Sequence, residues 1–447
     1  TPQEPERAVL DGVRRILETV GGKPEGIRTL VHGTTLATNA IIERKGAETL
    51  LLTTKGFRDV VETRTELRYD LYDLFIAFPE RLVPRRRRIG VTERVTYDGA
   101  VETPLVRDDV LAALEAEAAD GIESVAVCFL HSYTNPAHEA EAKAIIQEAR
   151  PDLPVTLSSD VLPEIGEYGR VSTTVANAYV QPIIDRYLSA LDGELREMGS
   201  SGGFFVMGSN AGSLSLDVAR NHPVRLVESG PAAGVSIAAH YARRLGLSNL
   251  LSFDMGGTTA KIALVTDYEP TRTSELEVAR VKRFQKGSGL LLKAPAVDLI
   301  EIGAGGGSIA RVDNLGLLTV GPDSAGSAPG PACYGQGGRD ATVTDANVAL
   351  GFLNPDYFLG GNMPLDRERS VAAIDEHVGG PMGVATSQAA SSIFEVVNDN
   401  MANAAAVYAA EQGIDLRNYA LLAFGGAAPA HAWDVARRLG IGEVRIP

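Results

Sequence analysis

The chain has 447 residues, enough at ~150 residues per domain for two to four domains that each bury a core, so a short disulfide-stapled scaffold is excluded. Its 42 Lys and Arg against 57 Asp and Glu leave a formal charge of −15, which repels nucleic-acid phosphate and anionic lipid; neither nucleic acid nor a membrane is an expected partner. No apolar run approaches the ~18 residues of a bilayer span, and two cysteines without C-x-x-C spacing suit a soluble chain in a reducing cytoplasm.

Val9, Val13, Ile16, Leu17 and Val20 fall on one stripe and predict a helix over 5–20, stopped by Gly21-Gly22. RTLVHGTT (28–35) reads as a strand running into a polar turn. Residues 49–105 mix short strands with turns and carry Arg85 to Arg88, which read as a solvated strand edge or a subunit contact. Asp108 is expected to cap a helix through Ala119; the strand ESVAVCFL, a helix over 137–149 and the strand PVTLS follow, an alternation that signals α/β architecture. A long helix is expected over 172–198, kinked or divided by Pro182. The Ser/Gly cluster 199–203 and the loop 209–215 place a domain boundary within 200–225. Beyond it the pattern predicts helix 231–245, strands 249–253 and 260–266, a Gly/Pro-dense region 286–361 poor in regular structure, helix 387–411, strand 419–424 and helix 429–439. The opening TPQEPERAVL and the closing strand-like EVRIP are those expected of an internal piece of a longer protein.

Glycine is over-represented, 47 of 447 residues against a usual ~7%, so loops in which backbone approaches a ligand are expected. The sharpest is in LLSFDMGGTTAKIALV, an apolar strand ending at Asp254, the turn Gly256-Gly257-Thr258-Thr259, and a second strand. Glycines let successive amides point at one spot, threonine hydroxyls add donors, and Asp254 can order Mg²⁺ or a water. A strand rather than a helix follows, which disfavours dinucleotide-fold and P-loop readings and leaves a phosphate-gripping hairpin or an ordinary tight one. Lys261 adds charge if it points inward. The second turn is in YALLAFGGAAPAHAWDV, where Gly425-Gly426 precede a helix with Pro429 in its first turn, a seat for adenosine or a close strand–helix crossing. Two such turns suggest one nucleotide clamped between them.

Other candidates are weaker. His32, with Thr34, Thr35 and Asn39, offers an acid/base and polar contacts to substrate, or else a hydrogen-bonded helix entry. Gly305 and Gly306 lie in a glycine run after Asp298 and Glu301, a mobile ligand loop or a connector. Cys333, with no activating His nearby in sequence, reads as a packed thiol, and Asp345 and Asn347 as nucleotide contacts or a helix cap.

The strand–D-x-G-G-T–strand piece and the downstream F-G-G-x-x-P-x-H-A resemble the actin-like superfamily, and more specifically the ATP-dependent hydantoinase A / 5-oxoprolinase family with its acetone and acetophenone carboxylase members. VHGTTLATNAIIERKGAETLLLTTKGFRDV, VAVCFLHSYTNPAHE, VESGPAAGV, EIGAGGGSIARVD and VGPDSAGSAPGPACYGQGG carry the likeness along the whole chain. Gly169 departs from it, where relatives usually carry Glu in a Y-E-R triplet. The resemblance implies an α/β, actin-like (ribonuclease H-like) two-domain fold, with an N-terminal domain over 1–215 lacking a first phosphate hairpin and an ATPase domain over 216–447 lacking its closing segment. It further implies ATP with Mg²⁺, a second hydantoinase B-like subunit, and homo-oligomerisation within a hetero-oligomer. The expected function is ATP-dependent opening of a cyclic amide through phosphorylation of the amide oxygen. Ketone carboxylation and a nucleotide-gated assembly module are the alternatives.

Overall fold

The strand Thr49–Thr54 is buried along its whole length between Arg88–Val91 and Ser124–Cys128, with Val155–Leu157 beyond, all four parallel. This is a computed structural model; it describes residues 5–117, 121–282 and 285–447. A parallel sheet is covered on both faces, so its strands are continuous apolar runs. Leu50, Leu52, Val125 and Val127 face Val110, Leu114, Ile145 and Ile146 of the helices Arg107–Ala116 and Ala137–Ala149. The alternate residues Leu51, Ala126 and Cys128 meet Tyr168, Val171 and Val175 of the helix Glu167–Glu197. That helix runs unbroken through Pro182 and starts earlier than expected, because burial of Tyr168 to Val180 outweighs the one intrahelical bond proline removes.

In the second sheet, Leu250–Met255 pairs antiparallel with Ala260–Thr266 on one side and parallel with Ala420–Phe424 on the other. Val444–Arg445 continues the parallel side, while Glu269–Pro270 and Leu299–Ile302 both pair with Ala260–Thr266. Helices Thr386–Glu411 and Ala428–Leu439 bury Ile393, Val397, Met401, Ala432 and Val435 in one cluster with Leu251, Phe253, Leu421 and Ala423. The chain divides into two compact units, Thr1–Ala233 with Arg272–Ala296, and Gly234–Thr271 with Val297–Pro447. Residues 216–233 and 272–296, expected in the C-terminal domain, thus sit in the N-terminal unit: Leu226, Val227, Val278, Leu290 and Leu292 enter its core. Among the described residues no helix is long and apolar enough to cross a membrane.

Three local expectations are corrected. Val106 holds the cap position of the helix Arg107–Ala116, and Asp108 lies within its first turn; the expected extension through Ala119 runs into 118–120, outside the described residues. Residues 286–361 are not poor in regular structure: they hold the strands Leu290–Val297, Leu299–Ile302, Ser308–Val312 and Leu318–Ser324 and the helix Val343–Ala349, each too short for its period to show between glycines. Of the four arginines, Arg85 is exposed and pairs with Asp59, but Arg87 and Arg88 are buried, held by Glu48 and Glu117 and by Glu62.

The stretch VAVCFLHSYTNPAHE is tied down by a buried polar network. Glu139 accepts from the Phe129 amide at 2.9 Å, the Ser159 amide at 2.9 Å and the Ser158 hydroxyl at 2.6 Å, while Arg170 donates to the Phe129 carbonyl at 2.7 Å. Arg170 and Glu139 are a buried ion pair at 3.8 Å, and breaking one side strands the other, so Arg170→Ala is expected to cost about 3–5 kcal/mol in chemical denaturation, and Glu139→Gln together with it less than the sum.

Candidate functional site

Parallel pairing of Leu250–Met255 with Ala420–Phe424 sets Asp254 opposite Phe424, so both glycine turns leave the same end of one sheet, within one unit. Gly425, at φ +91°, lies so close that a Cβ there would stand 2.5 Å from Asp254 Oδ1 and 2.6 Å from the Met255 carbonyl. The Ala427 amide then donates to that carbonyl at 2.9 Å. The glycine run after Ile302 packs beneath the hairpin. A Cβ on Gly305 would stand 2.6 Å from the Thr258 carbonyl carbon, and the Gly306 amide donates to the Gly256 carbonyl at 3.0 Å. Thr344 holds that run by donating its amide and its hydroxyl, each at 2.7 Å, to the Gly306 carbonyl. Gly305 and Gly306 are therefore buried supports.

The exposed side of this arrangement differs. Cβ atoms on Gly256, Gly257 or Gly426 would meet nothing within 4 Å, so these three glycines border open space. The amides of Gly257, Thr258 and Thr259 have no acceptor among the described residues. The helix Ala428–Leu439 begins without a side-chain cap: the Ala430 amide donates to the Ala427 carbonyl at 3.2 Å, exposed Pro429 has no amide, and the Ala428 amide has no acceptor among the described residues. The open amides of the hairpin and the Ala428 amide at the helix N-terminus, at one end of the sheet, form an anion-binding surface.

Asp254 is half-buried, and burial raises its carboxyl above the usual range against the opposing charge of Lys261. Lys261 is its direct cross-strand partner, so it lies on the same face; its Nζ donates to Thr259 Oγ1 at 2.6 Å and pairs with Glu301 at 3.1 Å. Among the described residues no group of three or more His, Cys, Asp or Glu is placed to hold a metal. Asp298 is engaged by Gln412 at 3.0 Å. Asp345 is a helix cap, its carboxylate taken by Thr342, Ala332, Cys333 and Ser370, and Cys333 is a buried thiol whose pKa is raised by that burial and by Asp345.

In the N-terminal unit, His32 ends a strand, Thr29–His32, parallel to Gly203–Met207. Its Nε2 lies 2.8 Å from the Tyr187 hydroxyl; burial lowers the imidazole pKa and pushes the phenol up to about 12. Thr34 Oγ1 accepts from the Leu36 amide at 3.1 Å, and exposed Thr35 and Asn39 meet at 3.4 Å, so the threonines do enter the helix Leu36–Ile42 while Thr35 and Asn39 stay open to solvent. Ser229 Oγ donates to the Thr34 carbonyl at 2.9 Å.

Sequence reasoning missed His431, fully buried one turn into the last helix. Its Nδ1 lies 2.7 Å from Asn398 Oδ1 and its Nε2 3.0 Å from Asn347 Nδ2. The signal was its place as the histidine of the F-G-G-x-x-P-x-H-A motif, which was read for its glycines and proline alone. Burial lowers its pKa to about 4. The folded protein thus refuses a proton that the unfolded chain accepts near 6.5; His431 stability is complete above that value and is lost as pH falls toward 4, by up to about 3 kcal/mol. Thermal melts of the wild type and His431→Phe between pH 7 and pH 4 should converge on acidification.

The family description "Hydantoinase/oxoprolinase" matches residues 170–447, and that of its N-terminal region matches residues 1–150. The chain belongs to the hydantoinase/oxoprolinase family. It is 36% identical to the caprolactamase subunit alpha of Pseudomonas jessenii over 100% of this chain and 64% of the relative, and 32% identical to 5-oxoprolinase 1 of Arabidopsis thaliana over 100% and 37%. Its structure is similar to that of the ATP-dependent caprolactamase from Pseudomonas jessenii, with a TM-score of 0.83, 35% identity and coverage of 98% of this chain and 63% of the other. A nucleotide-free acetone carboxylase gives 0.83 at 29% identity, covering 99% and 63%. The family fold is thus the α/β, actin-like one its motifs imply, and the chain spans less than two thirds of the length of each of these relatives.

Proposed function

We propose that this chain handles ATP in the opening of a cyclic amide, activating the amide oxygen by phosphorylation. One observation carries the reading: Asp254 stands between two glycine turns, Gly256-Gly257 and Gly425-Gly426, at one end of a single sheet, with Gly256, Gly257 and Gly426 facing open space. A solved relative described as an ATP-dependent caprolactamase supports it. ATP, when bound, supplies the phosphoryl group that turns a poor amide oxygen into a leaving group. The amides of 257–259 and the Thr258 hydroxyl hold phosphate, Lys261 balances its charge, and the start of the helix Ala428–Leu439 receives the nucleoside side. The donor set fits Mg²⁺, which commonly takes a single carboxylate beside waters and phosphate oxygens; Asp254 is that carboxylate. His32, kept neutral by burial and so free to accept a proton, moves a proton at the substrate, with Thr34, Thr35 and Asn39 as polar contacts. A second, hydantoinase B-like subunit completes hydrolysis, in keeping with the subunit naming of the caprolactamase relative, within a cytoplasmic assembly that also contains copies of this chain.

Likeness to acetone carboxylase favours a second reading, ketone carboxylation at the same site. Phosphate release from ATP by the intact protein with its partner separates the two. Stimulation by hydantoin, N-methylhydantoin, 5-oxoproline or caprolactam alone supports amide opening. A requirement for ketone plus bicarbonate supports carboxylation, and no stimulated release supports a nucleotide-gated assembly module.

A further inference from the structure

We propose that His431 is a positioning residue of the nucleotide site, pinning the helix behind the Gly425-Gly426 turn to the helix that clamps the Gly303–Gly307 run; this rests on the reading that these loops hold a nucleotide.

The donor sense of every bond in the chain is fixed. Asp434, paired with Arg437 and Arg438, offers only acceptors, so Asn398 must turn its Nδ2 toward it, at 2.9 Å. Asn398 Oδ1 is then left to accept from His431 Nδ1, at 2.7 Å. The hydrogen therefore sits on Nδ1, and Nε2 presents a lone pair that only the amide nitrogen of Asn347 can satisfy, at 3.0 Å. Asn347 obeys at a cost, since its Oδ1 is buried with no partner among the described residues. Phe394 stacks on the imidazole with ring centroids 4.9 Å apart and planes 21° apart, which fixes the ring plane.

What the chain connects gives it a role beyond filling the core. Asn347 belongs to the helix Val343–Ala349, whose Thr344 grips the Gly306 carbonyl, and the Gly306 amide grips the Gly256 carbonyl. His431 belongs to the helix entered through Ala427, whose amide grips the Met255 carbonyl, one residue from Gly256. The bonds thus close a ring: hairpin, glycine run, Asn347, His431, second turn, hairpin. Apolar packing tolerates sliding of one helix along another, whereas a buried polar chain with a single donor order admits one register. His431 is the member that joins the two arms.

The test is calorimetric titration of ADP into the intact protein carrying His431→Phe, His431→Asn or His431→Gln, with a melting temperature for each. Phenylalanine keeps the stack and loses both bonds. Asparagine keeps the Asn398 bond, and glutamine keeps an acceptor for Asn347. ADP affinity is expected to fall about tenfold in the first two and to stay within about threefold in His431→Gln, although all three melt lower. Ile393→Ala, which removes a buried neighbour without touching the ring, is expected to lower the melting temperature while leaving affinity within about twofold. Equal affinities among the three His431 variants, or a loss in Ile393→Ala matching that in His431→Phe, would overturn the proposal alone. A wild-type protein that takes up no ADP would overturn the nucleotide reading and this proposal together.

Discussion

Asp254→Asn is expected to fold normally, to melt no lower than the wild type, and to lose nucleotide-dependent phosphate release by about two to three orders of magnitude. The stability half follows from burial, which raises this carboxyl and so disfavours its charged form; a neutral isostere relieves that desolvation. The activity half follows from position. Asp254 ends the strand at the hairpin, touches the volume of Gly425, and has Lys261 as its cross-strand neighbour. An amide in its place cannot hold a divalent cation against phosphate, nor orient a water with a negative oxygen. Stopped phosphate-release assays beside thermal melts read both halves. Retained turnover in a folded Asp254→Asn protein removes Asp254 from the mechanism.

Gly425→Ala and Gly426→Ala are expected to separate folding from binding at adjacent positions. At 425 a methyl group would collide with Asp254 Oδ1 at 2.5 Å and with the Met255 carbonyl at 2.6 Å, on a backbone at φ +91°. The strain costs about 1–3 kcal/mol and displaces the Asp254 carboxylate, so both melting temperature and turnover fall. At 426 the methyl meets nothing within 4 Å and the backbone is ordinary, so stability is unchanged while the group intrudes on the ligand side; ADP affinity falls by about tenfold or more. Denaturation and titration on the same two proteins decide the matter. Unchanged ADP affinity in Gly426→Ala would show that this turn is only a strand–helix crossing.

The glycine pattern was legible because positive φ and close approach leave few alternatives to glycine, yet its meaning was not. Gly425, Gly426, Gly305 and Gly306 look alike in the sequence, and the structure divides them into packing positions and an open edge. Arg87 and Arg88 read as solvated because a charge run usually is; burial against Glu48, Glu117 and Glu62 depends on partners tens of residues away. The strands within 286–361 were hidden because stretches of four to eight residues between glycines show too little period to distinguish from loop. Pro182 suggested a break that burial of its helix overrode.

Local order is what the chain states by itself: where Asp254 ends a strand, where glycines permit a turn, where Pro429 admits a helix, and the motif set that marks its family. Those are properties of a few consecutive residues and their allowed backbone angles. Adjacency was decided only by the folded state. Parallel pairing brings residues 254 and 424 side by side, and a single donor order ties Asn347 to His431. Such facts depend on which distant strands share hydrogen bonds and which polar groups are shut away from water together, and no run of neighbouring residues encodes them.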